Sequence, residues 1–66
     1  NFQEQAQEHV GTTPRYELIE EKGPDHDKEF VVGVYLDDAL IATGKGRAKQ
    51  EAEQAAAEAA LDIKKW

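Results

Sequence analysis

The apolar positions of this chain switch from a helical spacing to a strand alternation and back again. Phe2, Ala6 and Val10 sit four apart, which predicts one stripe of a short helix over residues 2–10. Gln3 and Gln7 form a second stripe beside it, and Glu4 and Glu8 a third. Gly11 ends that helix and Thr12-Thr13-Pro14 breaks the pattern. Residues 15–21 read as a strand with Tyr16 and Leu18 facing inward. Lys22-Gly23-Pro24-Asp25-His26-Asp27 is a polar connection with strong turn chemistry. Residues 28–36 alternate most clearly, with Phe30, Val32, Val34 and Leu36 on one face and Val31, Gly33 and Tyr35 on the other. Asp37-Asp38 makes a tight hairpin turn into a third short strand over 39–43, centred on Ile41.

From about 47 to 64 the chain is alanine-dense, and alanine is the best helix former. Ala52, Ala55, Ala56, Ala59 and Ile63 recur at intervals of three and four, while Ala60 and Leu61 broaden that face. Small residues on a packing face predict a helix lying close against a sheet. Lys64 and Lys65 suit the negative end of its dipole, and Trp66 either covers an edge or hangs free. The expected fold is therefore α+β, in the order α-β-β-β-α. Both helices pack on one face of a three-stranded antiparallel sheet, burying Phe30, Val32 and Val34 and leaving the other face solvated.

Length bounds this to a single domain over residues 1–66, small enough that its core must be economical. The chain opens at Asn1-Phe2-Gln3 in mid-pattern without an initiator Met, and reads as a fragment of a longer protein. With no cysteine, neither disulfides nor a thiolate zinc site can brace it, which fits a reducing compartment. No apolar run approaches the ~20 residues of a membrane span.

The net charge is −6 and the sequence pI about 4.7, so any polyanion binding has to be local. One stretch allows it. Thr43-Gly44-Lys45-Gly46-Arg47-Ala48-Lys49-Gln50 carries three cations and no acid, at the start of the last helix. Helix N-termini attract anions through free N–H groups and the macrodipole, and the two glycines would let the backbone approach a phosphate. An ordinary Gly-rich turn before a solvated first turn fits these eight residues equally well.

Other chemistry is thinner. The fourteen acids are spread over helix faces, strand exteriors and turns rather than converging as metal-assisted hydrolysis requires. His9 and His26 lie on different elements without cysteine partners, and Gly44-Lys45-Gly46-Arg47 lacks the spacing of a P-loop. Taken alone, the Gly23–His26 connection is a turn and Gln3 and Gln7 are solvated helix residues. Yet His26 can hydrogen-bond from a projecting tip, and two glutamines one turn apart can each donate and accept.

The combination carries a resemblance. Gly44-x-Gly46-Arg47-x-Lys49-x-Glu51-Ala52-Glu53-Gln54-Ala55-Ala56-Ala57 resembles the third motif of the double-stranded RNA-binding domain (dsRBD). The variant Glu-Ala-Glu-Gln-Ala-Ala, with Gly23-Pro24-Asp25-His26 and Phe2-Gln3-Glu4, is similar to the C-terminal domain of bacterial ribonuclease III, in order along nearly the whole chain. The resemblance implies a non-catalytic module that reads A-form duplexes by shape over ~16 base pairs. By it, Gln3 and Gln7 touch ribose and base edges in one minor groove, and Gly23, Pro24 and His26 reach the next. Lys45, Arg47 and Lys49, with the adjoining position Gln50, straddle the phosphates between. The family usually has a second cation where Gln50 stands, so electrostatic affinity should be modest. The resemblance also implies a cytoplasmic parent that is a homodimer through a missing nuclease domain. Mg²⁺ would belong to that domain, and no cofactor is expected in this segment. A protein-interaction or dimerisation module on the same fold is the alternative.

Overall fold

The structure, a computed structural model, describes residues 2–65. In chain order it comprises α1 (Phe2–Val10), β1 (Arg15–Lys22), β2 (Glu29–Leu36), β3 (Ala39–Gly46) and α2 (Lys49–Lys64). The strands form an antiparallel sheet in the order β1-β2-β3. The core joins Phe2 and Ala6 of α1 to Val34, Leu36 and Ala42 of the sheet and Ala56 and Ala60 of α2. Both helices therefore share one face of the sheet, as the pattern predicts.

The ends of the elements follow from local chemistry. Gly11, at φ 68°, closes α1 by donating its N–H to the carbonyls of Ala6 and Gln7, both at 3.1 Å. Asp37, at φ 54°, takes the left-handed position of the β2–β3 hairpin. At the far end of α2, Lys65 is left-handed (φ 59°) and its N–H bonds to the carbonyl of Leu61. Asn1 and Trp66 lie outside the described residues, so the expectation for Trp66 falls there too.

Glycine and alanine set the distance between α2 and the sheet. Ala52, Ala56 and Ala60 are each fully buried against it. A Cβ built on Gly44 would overlap the backbone nitrogen of Ala56 and lie 2.6 Å from the carbonyl oxygen of Ala52. One on Gly46 would lie 2.7 Å from the nitrogen of Ala52. These two glycines are thus not a loop that frees the backbone for a phosphate. They lie within β3, which runs three residues beyond its expected end so that the helix backbone can rest on the strand.

Four expectations about the core need correction. Val10 is 53% exposed and Ile63 59%, so each falls off the end of its helical stripe. Leu18 shares the helix face but is 43% exposed, because α2 lies along β3 and β2 and leaves β1 uncovered. Phe30, at the start of β2, is only half-buried. The open face is not simply solvated either. A bulge at Ile19 and another opposite Val34-Tyr35 break the plain alternation. Ile19 and Leu40 close over Gly33, where a Cβ would meet their methyl carbons at 2.6 and 3.0 Å, and Val31 is buried on that side. Arg15 caps the patch by stacking on Tyr35, 4.8 Å from the ring centre.

Candidate nucleic-acid interface

Two of the proposed contact regions meet at one end of the sheet. β2 and β3 are antiparallel with Phe30 opposite Gly46, so the start of α2 emerges beside the connection from β1 to β2. That connection is a folded turn: the Asp27 N–H donates to the Pro24 carbonyl at 2.9 Å. Gly23 sits at φ 98° with the Asp27 carbonyl where a Cβ would be, a position only glycine fills without strain. The turn is fastened to α2 by an ion pair between Asp27 and Arg47. Gly23, Pro24 and His26 are exposed on it, and Arg47, Lys49 and Gln50 are exposed at the start of α2.

The helix start is open in a second sense. Its N-cap is Ala48, which has no side chain to bond the first free N–H groups. Backbone donors and the positive dipole end therefore face solvent between Arg47 and Lys49, as an anion site requires. Glu51 in the first turn offsets part of that field.

Lys45 does not join this group. Because Gly44 and Gly46 both face α2, strand alternation turns the side chain between them to the opposite side, opposite Val31. The sequence places three cations within five residues, but the pleat sends Lys45 to the open face, away from Arg47 and Lys49.

α1 supplies the third region. Phe2 and Ala6 anchor it, which leaves Gln3 and Gln7 exposed one turn apart beside Glu4 and Glu8. The Gln7 side-chain amide donates to the Thr13 hydroxyl, which fixes its orientation.

Asp27 and Lys28 are members of this end that the motif reading does not single out. Lys28 bonds Glu21 at 2.6 Å and lies 3.7 Å from Asp25. The hydrogen bond and charge of Lys28 hold the Glu21 carboxyl below its ordinary pKa, with a smaller contribution from Lys49, and Glu21 in turn raises Lys28. The turn composition marks residues 22–27 as a connection, but only the folded register shows which acid meets which cation. Among the described residues, no three His, Asp or Glu side chains converge as a metal site would need, and no helix is long and apolar enough to cross a membrane.

Residues 1–64 match the family model of the double-stranded RNA binding motif. The chain belongs to this family. It is 52% identical to a ribonuclease 3 of Nitratiruptor sp. over 97% of its own length and 28% of that protein's. It is 49% identical to a ribonuclease 3 of Carboxydothermus hydrogenoformans, covering 97% of the chain and 27% of the relative. The chain thus spans about a quarter of the length of these curated relatives. Among solved structures it resembles the first dsRBD of protein HYL1, with TM-score 0.72 and 38% identity over 94% of this chain and 87% of that one. It also resembles Dicer from Pichia stipitis, with TM-score 0.71 and 26% identity over 94% of this chain and 32% of that one. The α-β-β-β-α order expected from the sequence is the order of this dsRBD.

Proposed function

We propose that this domain holds duplex RNA for a ribonuclease III-type endoribonuclease and performs no cleavage itself. The observation that carries the reading is that the exposed β1–β2 turn lies beside an uncapped, cationic helix start on a body that also presents Gln3 and Gln7. A-form RNA presents 2′-hydroxyls and base edges in shallow minor grooves on either side of a phosphate-lined major groove. Amide and imidazole side chains suit the first, and guanidinium, ammonium and helix N–H groups suit the second. In the parent, a separate nuclease domain would use Mg²⁺. We further infer a parent that dimerises through that domain and works in the cytoplasm, where bacterial transcripts are made. Two linked binding modules would then offset the modest affinity expected of one acidic domain.

Titration with a ~20 base-pair RNA duplex and the matching DNA duplex tests this, since a dsRBD spans ~16 base pairs. Tighter RNA binding supports the reading; equal or absent binding to both rejects it.

The patch of Ile19, Tyr35 and Leu40 favours a second role as a protein-interaction surface. Because it lies on the face opposite the helices, the two roles are compatible. Sedimentation of the RNA-free domain across a concentration series checks it; a monomer at every concentration counts against self-association.

A further inference from the structure

We propose that Asp27 is an internal counter-anion: its carboxylate occupies Arg47 in the free domain, and duplex RNA binds by exchanging it for a backbone phosphate. This rests on the reading that the domain binds duplex RNA.

The carboxylate is delivered to Arg47 by a built turn. The Asp27 N–H is held by the Pro24 carbonyl, and its own carbonyl packs where Gly23 lacks a side chain. Both partners are open to solvent, with the Arg47 side chain 75% exposed and that of Asp27 53%. A phosphate can therefore reach the guanidinium without any unfolding. The neighbouring cation on the same turn is also met by acids, since Lys28 pairs with Glu21 and Asp25. The positive end of this acidic domain is thus partly neutralised from within before any ligand arrives.

The cost of displacing Asp27 falls on every anion alike. A lone anion gains little at Arg47 over a carboxylate already in place. A phosphate row gains more, because Lys49 and the uncapped N–H groups of α2 grip it as well. Asp27 thereby sets a common threshold, which a duplex backbone outweighs through those further contacts. Exposed ion pairs contribute up to ~1 kcal/mol, so the threshold is worth up to about fivefold in affinity.

The test is titration of a ~20 base-pair RNA duplex into the domain carrying D27N, R47Q, both together, or D38N. Asp38 lies at the β2–β3 hairpin, the far end of β2, and controls for the loss of one negative charge. D27N should tighten binding about threefold to fivefold and D38N less than about twofold, since distant charges are screened. In the R47Q background the gain from D27N should fall to that of D38N. In the RNA-free domain, D27N should shift the guanidinium NMR signals of Arg47. Equal gains from D27N and D38N, a gain that survives R47Q, or unmoved Arg47 signals in a domain that still binds RNA would each overturn the role of Asp27 alone. Shifted Arg47 signals without RNA binding by any variant would uphold the ion pair but remove both the exchange and the RNA reading beneath it.

Discussion

At Gly44 the lack of a side chain is what lets α2 lie on β3. The obstacle to a larger residue is helix backbone, which cannot rotate aside. Gly44→Ala should lower stability by about 1–3 kcal/mol, read as a fall in the urea midpoint; an unchanged midpoint would mean the helix sits farther out. The same pleat separates the cations. Lys49→Ala should weaken RNA binding and flatten the slope of log K against log salt by nearly one, as loss of one phosphate contact does. Lys45→Ala, on the opposite side of the sheet, should leave that slope nearly unchanged. Equal losses from the two would place Lys45 in the contact set after all. The sequence makes these glycines and cations conspicuous but assigns them to one loop. Only knowing that β3 continues to Gly46 reveals that the glycines serve packing and that Lys45 faces away.

The elements themselves were legible because each carries a strong local signal: alternation in β2, alanine in α2, a glycine or aspartate at each tight reversal. What alternation could not give was burial, which depends on what lies above each strand. Phe30 fits the inward pattern yet is half-buried, whereas Phe2, on the weaker α1 pattern, is 1% exposed. Phe2→Ala should therefore cost about 3–5 kcal/mol and Phe30→Ala distinctly less. Against a total near ~0.05–0.15 kcal/mol per residue, the first substitution should release α1 or unfold the domain. Thermal melts and amide exchange would show it, and the reverse order would contradict the core described. Beside the backbone ladder that joins β1 to β2, the ion pair of Glu21 with Lys28 adds a contribution that depends on pH. Glu21, its pKa lowered by Lys28, stabilises the fold fully above its unfolded value, and that contribution is lost as pH falls through its folded value. Lys28, its pKa raised, contributes fully below its unfolded value and loses this as pH rises through its folded one. Lys28→Ala should thus lower Tm at neutral pH, with the difference vanishing below the folded pKa of Glu21. A difference persisting in strong acid would mean that Lys28 acts by packing.

On the scale of the whole molecule, the domain is elongated, about 40 Å by 19 Å by 15 Å, with α1 packed on α2 and the β1–β2 turn fastened to the start of α2. Such a body suits contact with successive grooves of one duplex rather than enclosure of a small ligand. The family was readable because three individually weak motifs occur in the right order. The state of the site was not, because nothing in the order of residues tells that Asp27 turns onto Arg47. A net charge of −6 opposes RNA at long range, so binding must come from a few well-placed contacts. The most direct measurement is affinity for a ~20 base-pair RNA duplex and its DNA counterpart over a range of salt. Two side-chain phosphate contacts, Arg47 and Lys49, should give RNA binding a log–log salt slope of about −2, with clearly weaker binding to DNA. Equal affinity for the two duplexes, or no measurable affinity for RNA at low salt, would contradict it.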